Sequence, residues 1–100
     1  MAVADTEIKN SVATTLQPPT MWKVIMLNDD VTSMDLVVAL LITVFKHTQA
    51  TAEALTLEIH NKGSAVAGVY SYEIAEQKSL EATAIARSNG SPLQLKVEKE

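Results

Sequence analysis

Three consecutive polar residues, Asn28, Asp29 and Asp30, directly follow a short apolar stretch of the chain. Their two carboxylates and one amide oxygen can all accept hydrogen bonds, so together they could bind a cation. A calcium loop needs further acidic ligands that end in a glutamate, whereas residues 31–38 supply only Asp35. An ammonium group therefore fits this cluster better than a metal ion. The alternative is a turn that ends a strand and caps the next helix, a common use of Asn and Asp.

The chain has two histidines, His47 and His60, and neither has a second imidazole or a carboxylate at metal-binding spacing. Because zinc needs more ligands at closer spacing, and because cysteine is absent, we expect no metal, no cofactor and no disulfide. His60 falls near the end of a predicted helix, where it could interact with the helix dipole or take part in binding. No nucleophile elbow or phosphate-binding glycine loop is present, so the sequence favours a binding protein over an enzyme.

Charge and hydropathy exclude several classes of partner. The 100 residues contain eight Lys and Arg against twelve Asp and Glu, a net charge of −4, which is opposite to that of a nucleic-acid-binding surface. The longest apolar run, residues 36–42, is far shorter than the roughly 20 residues of a membrane-spanning helix. The first residues do not resemble a secretory signal. We therefore expect a cytoplasmic protein that binds neither nucleic acid nor membranes.

The elements of secondary structure have to position the polar cluster and His60. The pattern of apolar residues along the chain predicts that these elements follow the order βααβαβ. Short segments rich in β-branched or alternating apolar residues predict strands at 22–27, 65–70 and 93–98. Longer segments predict helices at 33–45, 48–63 and 71–89. The spacing of Thr32 and Asp35 is typical of a capping box and predicts a helix start near Ser33. Gly63 is expected to end the second helix. The predicted class is α+β, a small sheet with helices packed on one face.

The N-terminal residues differ in character from the rest of the chain. Residues 1–17 show no periodic pattern, and Pro18 and Pro19 follow them. We therefore predict a flexible N-terminal tail at 1–17 and a single folded domain at 18–100.

Four separated segments carry a likeness to a known family. They are PPTMWKVIMLNDDVTSMDLVV, a histidine shortly before a glycine, GVYSYEIAEQK and PLQLKVEKE. In this order and spacing, over about residues 18–100, they resemble the ClpS family of adaptors, which deliver N-degron substrates to a Clp ATPase and protease. The resemblance implies an α/β domain behind a mobile tail and no catalytic activity. It also implies recognition of proteins that begin with Leu, Phe, Tyr or Trp.

The resemblance assigns roles to individual residues. Asn28, Asp30 and His60 would hold the α-amino group of the substrate, with Asp29 adding negative potential. The matching positions for docking on the N-domain of a ClpA- or ClpC-type ATPase are Glu73 and Lys78. The pocket for the first side chain of the substrate would be lined by Met26, Leu27, Thr32, Met34, Val37, Thr56, Ile59 and Leu93.

Several positions depart from the family pattern. Thr56 stands where many members have Met, and Val31 stands where an aromatic residue is usual. Ser33 replaces Pro, and Gln77 replaces Thr beside Lys78. The smaller Thr56 leaves the pocket less filled, which predicts a changed preference for the first residue.

The alternative to delivery is a regulator that occupies the ATPase without handing over substrates. The resemblance implies a monomer in the cytoplasm, or in the plastid stroma or a host cytoplasm if the source is a plastid or a virus.

Overall fold

A computed structural model describes residues 19–100. The predicted α+β class and the order βααβαβ are confirmed. The predicted tail at 1–17 lies outside the described residues, so the predicted division of the chain stays a prediction. No helix within 19–100 is both long enough and apolar enough to cross a membrane. The strands are β1 (Trp22–Leu27), β2 (Ser64–Tyr70) and β3 (Gln94–Lys99), and the helices are α1 (Met34–Thr43), α2 (Gln49–Lys62) and α3 (Tyr72–Ser88).

The first strand, β1, is the central strand of a three-stranded antiparallel sheet with the order β2-β1-β3. Because successive side chains of a strand face opposite sides, Val24 and Met26 point to the same face, and both are fully buried. All three helices cover this face, as predicted. Their contributions to the core are Val37, Leu40, Leu41, Ala52, Ile59, Ala75, Ala82 and Ala86.

A β-bulge in β2 gives His47 a structural role. Val24 pairs with Gly68 and Ile25 pairs with Val66, so Ala67 is the extra residue on β2. The carbonyl oxygen of Ala67 accepts a hydrogen bond from Nε2 of His47. His47 therefore supports the irregular strand.

The C-terminal end of α1 is hydrogen-bonded to Lys78 of α3. Nζ of Lys78 donates to the carbonyl oxygen of Val44 at 2.8 Å and lies 5.5 Å from the ring centroid of Tyr70. A positive charge at the end of a helix interacts favourably with the helix dipole. The Tyr70 ring lies against Gly68, where a Cβ atom would collide with it.

The start of α1 differs from the sequence prediction by one residue. Ser33 is the N-cap, and its hydroxyl accepts from the N–H of Leu36 at 3.1 Å. The predicted capping box between Thr32 and Asp35 is therefore wrong. The Thr32 hydroxyl is held elsewhere, because it donates to the carboxylate of Asp29 and is also hydrogen-bonded to the hydroxyl of Ser91.

The last turn of α2 is tied to the end of β1. Gly63 ends the helix, as predicted, with a φ of 94°, and its N–H donates to the carbonyl of Ile59 at 2.9 Å. The carbonyl of Gly63 then accepts from the N–H of Asn28 at 2.9 Å. This bond places the polar segment after β1 beside the C-terminal end of α2.

We expect Gly63→Ala to destabilise the fold by about 1 kcal/mol, because a side chain disfavours the left-handed backbone conformation. No heavy atom lies within 4 Å of an added Cβ atom, so the loss is conformational and not steric. Urea unfolding followed by circular dichroism measures it. Gly63→Asn is the matched control and should lose less, because Asn tolerates this conformation. Wild-type stability of Gly63→Ala would contradict the prediction.

Candidate functional site

The loop between β1 and α1 is organised by the carboxylate of Asp29. Oδ1 accepts hydrogen bonds from the N–H groups of Val31 and Thr32, both at 2.7 Å. Oδ2 accepts from the hydroxyl of Thr32, also at 2.7 Å. Asp side chains commonly hold turns in this way. Both carboxylate oxygens of Asp29 are therefore engaged in shaping the loop.

The Thr32 hydroxyl extends this network to the turn that precedes β3. Its single hydrogen is donated to Asp29, so the Ser91 hydroxyl, 2.5 Å away, is the donor to Thr32. The buried Ser91 also accepts from the N–H of Leu93 at 3.1 Å. Nη1 of Arg87 donates to the carbonyls of Ser91 and Leu93, both at 2.8 Å. A chain of hydrogen bonds thus connects the β1–α1 loop to the end of α3.

These contacts also set the charge state of Asp29. Burial alone would raise the pKa of its carboxyl group, but hydrogen bonds from Thr32 and Val31 and the positive charge of Arg87 outweigh that effect. The pKa of Asp29 is therefore held below its ordinary value. Asp29 keeps its negative charge to lower pH than a free aspartate.

Three other polar side chains are available to a ligand at the same place. Asn28, Asp30 and His60 are exposed, and no hydrogen bond joins their side chains to any partner within residues 19–100. Asn28 is held beside the last turn of α2 by the bond to Gly63, and His60 belongs to that turn. The carbonyl end of a helix carries partial negative charge, which adds to that of the two carboxylates. This corner of the molecule is therefore suited to a cation.

The three free side chains open onto a cavity of about 250 Å³. Its polar side is formed by Asn28, Asp29, Asp30 and His60, which are the residues predicted to hold an amino group. Val37 and Ile59 belong to the buried core, so the cavity reaches from the charged corner to the apolar interior. Its remaining walls are formed by Thr32, Met34, Val37, Thr56 and Ile59.

The structure thus gathers most of the residues predicted to bind the substrate around one cavity and leaves three of them outside its walls. Met26 and Leu93 are fully buried in the core, and Leu27 is partly buried. None of these three lines the cavity. The binding roles of all the predicted residues stay predictions.

Thr56 contributes an apolar surface despite its hydroxyl group. The side chain is buried, and Oγ1 donates to the carbonyl of Ala52, one turn earlier in α2, at 2.7 Å. A hydroxyl has a single hydrogen, so none remains for a ligand. Thr56 can offer the cavity a methyl group and lone pairs of the oxygen, but no donor.

Residues 17–96 match the family model described as "ATP-dependent Clp protease adaptor protein ClpS". The chain belongs to the ClpS family. The ClpS adapter of Helicobacter hepaticus is 42% identical over 97 residues, which cover 97% of this chain and 98% of that relative. The ClpS adapter of Treponema denticola is 47% identical over 81 residues, or 81% of this chain and 80% of the relative. The family membership predicted from the sequence is confirmed.

A solved ClpS structure is also similar to this chain. It is the structure of Agrobacterium tumefaciens ClpS2 bound to L-phenylalaninamide, with a TM-score of 0.79 and 38% sequence identity. The similarity covers 82% of this chain and 99% of the ClpS2 chain. The likeness therefore extends to nearly the whole of that adaptor.

Two residues that shape this ClpS site were missed by sequence analysis. The predicted helix ends at residue 89 and the turn after it was given no role, although Ser91 in that turn is the buried partner of Thr32 and Arg87 holds its backbone. A serine in a turn before a strand is a weak signal, and its partner lies 59 residues away in the sequence. Such a contact becomes visible only in the folded chain.

We expect Asp29→Asn to lower the free energy of unfolding of this ClpS chain by about 1 kcal/mol at pH 7, because an amide has one acceptor oxygen instead of two. The folded-state pKa of Asp29 lies below its unfolded value. The stabilisation is therefore complete well above the unfolded pKa, about 3.9, and is lost as the pH falls through the folded one. Urea unfolding at pH 7, 5 and 3 tests this, with Glu81→Gln as control. A difference between wild type and Asp29→Asn that is the same at all three pH values would contradict it.

Proposed function

We propose that this chain is an adaptor that binds proteins through a free N-terminal residue with a bulky apolar or aromatic side chain and delivers them to a Clp AAA+ ATPase for degradation. The observation that carries the proposal is the cavity in which Asn28, Asp30 and His60 stand free beside the apolar residues Val37 and Ile59. Membership of the ClpS adaptor family supports it.

The free polar side chains match the chemistry of an α-ammonium group. That group has three donors, and the Asn28 amide oxygen, the Asp30 carboxylate and a ring nitrogen of His60 supply three acceptors. Hydrogen bonds that involve a charged group are the stronger kind. Acetylation removes the charge and two of the donors, which leaves acceptors in the site without partners. Binding is therefore expected to require an unblocked amino terminus.

The apolar side of the cavity matches the first side chain of such a terminus. Burial of apolar surface contributes roughly 25 cal/mol per Å², so a large ring or a leucine gains more than a small side chain. The ligand named for the similar ClpS2 structure, L-phenylalaninamide, combines a free α-amine with a phenyl ring. Met34 is flexible and 44% exposed at the rim, so it can adapt to several ring shapes. It is expected to crowd a stiff β-branched residue.

We propose binding and not catalysis at this cavity. The hydroxyl hydrogens of Thr32 and Thr56, which line it, are already donated to Asp29 and to the carbonyl of Ala52. Within residues 19–100, no group of three His, Asp or Glu side chains is placed to hold a metal ion. The carboxylate of Asp29, which accepts the Thr32 hydrogen, has a pKa held below its ordinary value, so it is a poor base for activating that hydroxyl.

Removal of one acceptor should weaken binding of a peptide that begins with Phe. We expect Asp30→Ala and His60→Ala each to raise the Kd by about 5- to 150-fold, which corresponds to 1 to 3 kcal/mol for an unsatisfied charged partner. Fluorescence anisotropy with free and N-acetylated forms of one peptide measures it. Gln77→Ala, on α3, is the control. The amine-binding role is refuted if both variants keep wild-type affinity.

Thr56 is expected to tune which first residue is preferred. We propose that the small side chain leaves room for rings, while Leu fills the cavity less well. Thr56→Met adds volume and should shift the ranking from Phe and Trp towards Leu. Titration of peptides that differ only in a first Leu, Phe or Trp tests this. The same ranking before and after the substitution would show that residue 56 does not set the preference.

For delivery, we propose that Glu73 and Lys78 on α3 dock the N-domain of a ClpA- or ClpC-type ATPase. The Glu73 side chain is exposed at the start of α3. Lys78 is partly buried and already engaged with Val44 and Tyr70. The two residues should therefore behave differently when they are replaced.

The monomeric state and the cytoplasmic location stay predictions.

We expect Glu73→Ala to weaken ATPase binding and to lower the free energy of unfolding by less than about 1 kcal/mol, because its carboxylate lies in the first turn of α3. Lys78→Ala should weaken binding and also destabilise the fold by about 1 to 2 kcal/mol, because the carbonyl of Val44 loses a charged donor. Pull-down of the isolated N-domain and urea unfolding separate the two effects. Equal stability of Lys78→Ala and wild type would contradict a stabilising contact between Lys78 and Val44.

Peptide and ATPase binding without degradation of a Phe-initiated substrate would favour the regulator over the delivering adaptor.

A further inference from the structure

Met34 is the one exposed methionine among residues 19–100. The sequence has four methionines, of which Met1 lies outside the described residues. Met26 is fully buried beneath the helices, and Met21 is partly buried directly before β1. Met34 is 44% exposed. A small oxidant dissolved in water therefore reaches the sulfur of Met34 more readily than that of Met26.

The position of Met34 is such that a change in its side chain would affect a ligand and not the core. It is the first residue of α1 and lines the candidate cavity together with Val37 and Thr56. It belongs neither to the buried core nor to the partly buried residues that pack against the core. A polar side chain at position 34 would therefore alter the cavity and leave the packing of the core intact.

Oxidation converts the apolar thioether of a methionine into a polar sulfoxide. The cavity lining has two hydroxyl groups, those of Thr32 and Thr56, and both have already donated their hydrogens within the protein. In the proposed complex the side chains of Asn28 and His60 are occupied by the amino group. The sulfoxide oxygen of an oxidised Met34 would therefore be hydrated by solvent. A phenyl ring that covers it would displace this water without replacing its hydrogen bonds, which costs free energy.

We propose that Met34 is a site of reversible oxidation by a peroxide, and that the sulfoxide weakens binding of aromatic N-terminal residues. A lone pair of the sulfur attacks one oxygen of hydrogen peroxide, an S–O bond forms, the O–O bond breaks and, after proton transfer, water leaves. The sulfur is oxidised by two electrons and the peroxide is reduced by two. This inference rests on the proposed function, because it needs the first residue of a substrate to lie against Met34.

The reaction can be reversed enzymatically. Methionine sulfoxide reductases, one for each sulfoxide epimer, return the sulfoxide to the thioether. The two electrons come from two thiols, which form a disulfide, and the sulfoxide oxygen leaves as water. Cysteine is absent from the chain, so a response of the cavity to peroxide has to come from another side chain.

The test compares untreated and peroxide-treated protein in binding a methionine-free peptide that begins with Phe, added after the peroxide has been removed. Peptide mapping by mass spectrometry measures the oxidised fraction of each methionine, and fluorescence anisotropy measures the Kd. At a dose that oxidises most of Met34, we expect Met26 to stay largely reduced and the Kd to rise roughly five-fold. Treatment with both reductases and a thiol should restore the original Kd.

Two variants serve as controls. Met34→Leu has no sulfur at this position and keeps an apolar side chain of similar size. Whatever its starting affinity, its Kd should be the same before and after peroxide treatment. Met21→Leu removes the partly buried sulfur before β1 and should keep the five-fold response.

The outcomes separate this inference from the proposed function. If the untreated protein binds no Phe-initiated peptide, or binds the acetylated form equally well, the proposed function fails and the inference fails with it. If the free peptide binds and its Kd is unchanged once Met34 is oxidised, the function stands and the oxidation proposal is wrong. It is also wrong if Met34 is no more reactive than Met26, if Met34→Leu responds to peroxide as the wild type does, or if the reductases do not restore the Kd.

Discussion

The hydrogen bond from the N–H of Asn28 to the carbonyl of Gly63 is the contact on which the geometry of the site depends. It joins the end of the central strand to the end of α2, two points that are distant in the sequence. Asn28 and Asp30 enter the site from the strand side, and His60 enters from the helix side. Gly63 makes this bond from a left-handed backbone conformation, which glycine adopts without a steric penalty. One glycine without a side chain therefore sets the spacing between the residues proposed to hold the amino group.

The polar residues of the cavity divide into two kinds. Asp29 and Thr32 are engaged in hydrogen bonds with their own loop and, for Thr32, with Ser91. Asn28, Asp30 and His60 have no such partners within the described part of the chain. The first kind gives the loop a fixed shape, and the second kind is left for a ligand. Satisfying the structural groups internally is what allows the free groups to be held in position before a ligand arrives.

The fold could be predicted from the sequence because its signals are local. Strand β1, the glycine end of α2 and the alternation in β3 each follow from residues a few positions apart. Most of the residues around the cavity were named from the family resemblance, which encodes long-range proximity that spacing does not. The remaining features depend on contacts across the fold. Examples are the donation from Lys78 to Val44, the support of Ala67 by His47 and the link from Ser91 to Thr32. Ser33 caps α1 in place of Thr32 for the same reason, since Asp29 and Ser91 hold the Thr32 hydroxyl.

Helix α1 connects the two proposed binding surfaces of the molecule. Met34, its first residue, lies at the rim of the cavity, and Val44, its C-cap, is bound to Lys78 of α3. The ten residues of the helix span about 15 Å at 1.5 Å per residue. Substrate and ATPase would thus be held at opposite ends of α1, joined by one continuous helix. If the ATPase pulls on α3, the force would pass through the contact between Lys78 and Val44 and reach the substrate site along the axis of α1.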